Sequence, residues 1–176
     1  MAAKYRYPIR RSPRSDPQQY RVYRMENEAI GARHYQRLNR ATIMQIIRSV
    51  CRNYSVPRLP VVWKPLGRWA AMWVQDDAGR IELQLNTKKA TARATLTITH
   101  ELAHHVHEHL AGSAADHHES HGPEFMACHI SILDTCRVIP VVGMRAVCQA
   151  WNVRYHDPGT TNSLRKLQRI VRRRSG

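Results

Sequence analysis

A chain of 176 residues is of a length that one hydrophobic core can fill, and two full domains are not expected. Its formal net charge of +15 sits at the ends: residues 1 to 40 hold ten Lys/Arg against three acids, and residues 164 to 176 hold six against none. The N-terminal stretch has no continuous apolar run of the about seven residues that a signal segment needs, and no longer run follows, so neither a secretory signal nor a membrane span is expected, and the location anticipated is cytoplasmic or within a nucleic-acid or virion particle.

Residues 1 to 19 combine three prolines with five Arg/Lys and almost no aliphatic bulk. Such a segment cannot offset the entropy of ordering and reads as a flexible arm, whose removal should leave metal binding intact. A short strand is possible at Tyr20 to Val22, and the stretch up to Asn39 is ambiguous. The first firm element is a helix from about Ala41 to Tyr54, where Ile43, Ile46, Ile47, Val50, Cys51 and Tyr54 recur at three- and four-residue spacing. Pro57 and Pro60 end it. Leu59 to Trp63, Trp69 to Val74 and Arg80 to Leu85 then read as strands, with a hairpin turn at Asp76 to Gly79. In the third, Ile81, Leu83 and Leu85 alternate with Arg80, Glu82 and Gln84, which predicts one covered and one wetter face.

A second helix is predicted from about Ala92 to Leu110, stopped by Gly112. After a polar loop, Pro123 opens a third, with Phe125, His129, Ile132 and Cys136 on one face; proline suits a first helical turn because its missing donor would be unpaired there. A short helix at Met144 to Trp151 and a basic one from about Ser163 to Arg173 complete the chain. The expected organisation is a basic arm over 1–40, a domain over 41–160, and a basic helix and tail over 161–176. Cys51, Cys128, Cys136 and Cys148 form no CxxC pair and read as reduced, structural thiols.

The string His100-Glu101-Leu102-Ala103-His104 carries chemistry. Four residues apart on a helix, the two histidines share a face and can reach one metal ion, while Glu101 lies one position round, within reach of a water on that ion. A catalytic zinc site takes three protein ligands and leaves one position open, so a third ligand must come from elsewhere. His105, His107, His109, His117, His118, His121 and His129 are available. His105 and His107 point off the His100/His104 face and His109 lies beyond reach, so these three are expected at the surface. His121 is favoured because Gly122 lets the backbone approach closely, Pro123 starts the next helix and Phe125, the one phenylalanine, anchors it. Asp116, His117 and His118 compete with it.

HELAH followed by HGPEF resembles the SprT-like zinc metallopeptidases, a minimal gluzincin-type family, over roughly residues 41 to 140. The resemblance implies one zinc ion per chain held by His100, His104 and His121, with Glu101 as the general base. It also implies an α+β fold in which a small three-stranded sheet packs on helices. No cysteine zinc ribbon follows, so the DNA-linked substrate choice of the DNA-repair members does not carry over.

The function expected is therefore zinc-assisted hydrolysis of a protein substrate, with an extended peptide paired to an edge strand at Ile81 to Leu85. Arg154, Tyr155 and His156 are candidate donors to the oxyanion. The alternative is a structural or nucleic-acid-associated protein, such as a virion component, that keeps the zinc domain; a histidine-rich metal buffer is a third reading and needs neither Glu101 nor HGPEF. Arginine outnumbers lysine 23 to 5, which favours phosphate contacts. Nucleic acid is thus an expected partner of the arms, through Arg10, Arg11, Arg14, Arg165, Lys166, Arg169, Arg172, Arg173 and Arg174.

Overall fold

The computed structural model describes residues 16–31, 36–76, 78–159 and 164–172. Within them lie six α-helices and one three-stranded mixed sheet, an α+β fold. Helix α1 (Gln19–Arg24) runs directly into a π-helical stretch, Met25–Gly31. Val22, Met25, Glu26 and Ile30 face inward along this segment. The strand considered at Tyr20 to Val22 is therefore helical, and the inward stripe is hard to see in the sequence because an acid interrupts it.

Helix α2 (Arg40–Asn53) begins where the Asn39 side chain accepts the Thr42 backbone N–H at 2.9 Å, a capping bond that uses one of the orphan donors of a helix start. Its buried positions Ile43, Ile47, Val50 and Cys51 form the predicted stripe. Strands β1 (Val61–Lys64), β2 (Ala71–Gln75) and β3 (Ile81–Asn86) are ordered β1-β3-β2, with β1 parallel and β2 antiparallel to β3. The β2-β3 turn closes through Gly79, whose φ of +76° favours glycine and whose N–H donates to the Asp76 carbonyl at 2.9 Å.

Two expectations about β3 fail for one reason: it is the central strand. Paired on both sides, it offers no free edge to a substrate at Ile81 to Leu85. Burial is also continuous from Leu83 to Asn86 rather than alternating, and the buried amide of Asn86 donates to the Trp69 carbonyl at 2.6 Å. Among the described residues the outer strands are β1 and β2.

A 3-10 turn (Ala90–Arg93) leads into α3 (Thr95–Ala111), which ends at Gly112 with φ +56°. Helix α4 (Pro123–Thr135) has proline in its first turn and packs along α3. Helices α5 (Val141–Ala150) and α6 (Leu164–Val171) follow, α6 lying against both α3 and α4 with Leu167 and Val171 buried. All four cysteines are free. No helix among the described residues is long and apolar enough to cross a membrane.

Candidate metal centre

Helix α3 sets His100 and His104 one turn apart, their ring centroids separated by 5.0 Å. His121 arrives from the turn before α4. There Gly122 packs closely on the preceding turn: a Cβ on it would stand 3.0 Å from the Glu119 Cβ and 3.1 Å from the Glu119 carbonyl oxygen, so that turn would have to give by a few tenths of an ångström. Ligand atoms of His100, His104 and His121 all lie within 4.8 Å of one another, and the Nε2 atoms of His100 and His121 are 3.2 Å apart. The ring of Phe125, fully buried, supports the cluster from below, 4.4 Å from His104, 5.0 Å from His121 and 5.2 Å from His100.

Carboxylates fix two of the three rings from behind. The Nδ1 of His100 lies 2.7 Å from Oε1 of Glu26, and that of His121 lies 2.6 Å from Oδ2 of Asp16. An Nδ1–H donated to a carboxylate leaves the Nε2 lone pair as the free end of the imidazole, which is how a metal-ligating histidine is oriented. Two such lone pairs 3.2 Å apart repel unless a cation lies between them. The donor set thus fits a metal ion: three imidazoles from two elements, two of them backed by acids.

The electrostatics agree. Burial alone would lower the His100 pKa, but the Glu26 carboxylate outweighs it and the net shift is upward. Burial would raise Glu26, yet the charge of His100 and its hydrogen bond hold the pKa down. His121 is lowered, burial prevailing over its bond to Asp16. Glu101 is raised by burial against the opposing pull of His100 and the Trp73 N–H, which donates to its Oε2 at 2.7 Å. Tyr23, whose ring centroid lies 5.0 Å from that of His121 and 5.5 Å from that of His100, has its phenol pushed up by burial and then by the charges of Glu101 and Glu26.

No family model, curated protein or solved structure matches the chain. The SprT-like resemblance rests on the two motifs themselves.

The other histidines are distributed differently from expectation. His105 and His107 do point off the ligand face, but they are 1% and 2% exposed rather than at the surface. Helix α3 is the central element and is covered on every side, so its remaining histidines are paired internally. His105 donates Nε2–H to the Pro57 carbonyl at 2.8 Å, His107 Nε2 meets His118 Nδ1 at 2.9 Å, and His109 Nδ1 donates to the His105 carbonyl at 2.9 Å. His118 is thereby turned to His107. The side chains of Asp116 and His117 lie outside the described residues. His129 is fully buried beside the centre, 3.3 Å from Oε1 of Glu26, and makes no hydrogen bond through either ring nitrogen among the described residues. Burial lowers its pKa to about 4, so it is neutral.

The arm reading needs correction at its inner end. Residues 1–15 lie outside the described residues, but Asp16 contacts His121, and Gln18 is fully buried, donating to the carbonyls of His121 and Arg154 and accepting the Arg154 N–H at 2.9 Å. Of the candidate oxyanion donors, the Arg154 guanidinium pairs with Glu119 and His156 Nε2 stands 3.3 Å from Glu124, while Tyr155 packs partly buried on the core. Among the proposed nucleic-acid contacts, Arg165, Lys166, Arg169 and Arg172 are exposed on α6 or just past it; the Arg172 Nε also donates to the Leu110 carbonyl at 3.2 Å. Arg10, Arg11, Arg14, Arg173 and Arg174 lie outside the described residues.

Proposed function

We propose that the protein is a zinc-dependent metallopeptidase of the SprT-like kind, with His100, His104 and His121 holding one zinc ion and Glu101 acting as general base. One observation carries this reading. The three imidazoles converge on one point while the Glu101 carboxylate, one position round the same helix, is held by the Trp73 N–H instead of joining them. A purely structural site has no use for a carboxylate kept beside its ligands that neither joins them nor backs a ring, as Glu26 and Asp16 do.

When bound, zinc supplies Lewis acidity that polarises an amide carbonyl and acidifies water. The chain's own groups do the rest. Glu101 takes up a proton from the attacking water and returns it to the leaving amine, a role suited to a carboxyl group whose affinity for protons is raised by burial. Tyr23, beside the His100 and His121 rings, replaces Arg154, Tyr155 and His156 as the donor to the developing oxyanion. An extended substrate pairs with β2, an outer strand of the sheet, beside Trp73, whose N–H is held by Glu101.

The test is metal content and peptidase activity on unfolded protein, wild type beside Glu101→Gln. The variant should keep one zinc per chain and lose activity by about 10²- to 10⁴-fold, the usual contribution of a general base. Equal activity in the two proteins would end the mechanism.

A further inference from the structure

The charge of this chain is not confined to its ends. Residues 36–40, 62–70 and 86–95 contain seven cations, Arg37, Arg40, Lys64, Arg68, Lys88, Lys89 and Arg93, and no Asp or Glu. The fold brings the three segments together at one end of the sheet. The Leu38 N–H donates to the Arg93 carbonyl at 2.8 Å, the Thr87 N–H to the Lys64 carbonyl at 3.2 Å, and the Asn86 amide to the Trp69 carbonyl at 2.6 Å.

Two tryptophans organise this patch. The guanidinium groups of Arg40 and Arg93 both lie over the Trp63 ring, 4.7 and 5.3 Å from its centroid. Holding two like charges on one indole costs repulsion that an anion lying across them would relieve. Trp69 is 40% exposed, one of three large hydrophobic side chains so placed among the described residues, and the Arg68 guanidinium lies 4.7 Å from its ring centroid. Glu82, on the central strand, stands 3.7 Å from Lys64 and offsets that one cation.

We propose that this face binds single-stranded nucleic acid: the arginine pair on Trp63 takes the phosphate backbone, and Trp69 with Arg68 is a platform on which a base stacks. A flat exposed ring beside delocalised cations is the surface that unpaired bases and phosphates recognise together, without reading sequence. An acidic protein would use the cations but has no need of the indole. The inference is independent of the metal centre and of whether the protein is a peptidase.

The experiment is a binding titration of the full chain with fluorescein-labelled oligothymidylate at several salt concentrations, for wild type, Trp69→Ala, Trp69→Tyr and Arg40→Gln/Arg93→Gln. Trp69→Ala should weaken binding about 5- to 150-fold, the range for loss of one base stack, and Trp69→Tyr should restore most of it. The double variant should flatten the slope of log affinity against log salt by about 1.4, or ~0.7 for each phosphate contact on a single strand. Trp69 is exposed and its replacement should leave the melting temperature unchanged, which separates binding from folding. Wild-type affinity in both Trp69→Ala and the double variant would overturn the proposal, leaving the chain ends as the binding region. Equal losses with polyglutamate as the ligand would overturn it in favour of an acidic protein partner.

Discussion

Oε1 of Glu26 lies 2.7 Å from Nδ1 of His100, joining a π-helical segment near the start of the chain to the metal helix 74 residues later. π-helical turns concentrate at functional sites because the wider turn re-aims a side chain that an α-helix would place elsewhere. Here the re-aimed side chain is an acid inside the core. Glu26→Ala should weaken zinc binding about 10- to 100-fold, measured by competition with a chromophoric chelator, because His100 loses the acceptor that fixes its ring and raises its basicity. Glu26→Gln, which still offers an oxygen to the Nδ1–H, should lose less. An unchanged affinity in the alanine variant would show that His100 is oriented by packing alone.

Asp16 and Gln18 make a parallel prediction for His121. Gln18 ties the His121 carbonyl to the backbone of Arg154, and Asp16 takes the ring Nδ1–H. Deleting residues 1–19 should therefore lower zinc affinity, contrary to what an unstructured arm implies. Asp16→Ala alone should reproduce about 10-fold of that loss. Zinc content of the purified proteins after dialysis against a weak chelator distinguishes the two views.

What the sequence made readable followed from periodicity. Helix α2, the three strands, α3 and α4 all fall within a few residues of their expected positions, because each carries an apolar repeat or a clear punctuating residue such as Gly112 or Pro123. The shared face of His100 and His104 was legible from their four-residue spacing, and His121 from the glycine, proline and phenylalanine that follow it; the three converge. Glu26 and Asp16 were not legible: a lone acid in a basic segment looks solvated, and only the fold shows that it faces a histidine. The strand order was hidden for a related reason. Alternation in Arg80 to Leu85 reports one covered face, but says nothing of how many neighbours the strand has, and so does not show that it is central. His105 and His107 read as surface residues because they point off the ligand face, whereas each finds its partner inside.

The thiols should be slow to react in the native protein. Cys51, Cys128 and Cys148 are buried and Cys136 is half-buried. Burial raises Cys51 and Cys128, pushes Cys136 up to about 11 and Cys148 up to about 12. Little thiolate is present at neutral pH, and the thiolate is the nucleophile. A disulfide-exchange reagent should titrate all four only after denaturation, Cys136 being the first to respond. Fewer than four thiols under reducing-free denaturing conditions would reveal a bridge that the fold does not contain.

Phe125 is the side chain on which the imidazoles rest, so its loss should affect stability and metal binding together. Phe125→Ala should cost about 3–5 kcal/mol, the range for emptying a buried aromatic site, and lower the thermal midpoint of a domain this size by roughly 6 to 20 °C. Phe125→Leu keeps most of the volume and should recover much of the stability. If the leucine variant melts near wild type yet still binds zinc weakly, the flat ring itself sets the ligand geometry; recovery of both would assign Phe125 a packing role only.

His121, His118 and His129 offer three different outcomes from one substitution. His121→Ala removes an imidazole whose Nε2 is 3.2 Å from that of His100, and should abolish stoichiometric zinc binding. His118→Ala removes the 2.9 Å partner of His107 in a buried pair, so zinc should stay while stability falls by about 0.5–1.5 kcal/mol, the net contribution of one hydrogen bond. His129→Leu is the informative third case. His129 is fully buried with no hydrogen bond to lose among the described residues, and burial already holds it neutral, so an apolar replacement of similar volume should leave stability unchanged or raised. Its Nδ1 lies 3.3 Å from Oε1 of Glu26. If His129 helps hold Glu26 against His100, zinc affinity should fall while the fold stays intact; if it merely fills space, affinity should not change. Loss of zinc from His118→Ala with retention in His121→Ala would reverse the ligand assignment, and metal analysis of the three variants beside thermal melts reads all of these outcomes.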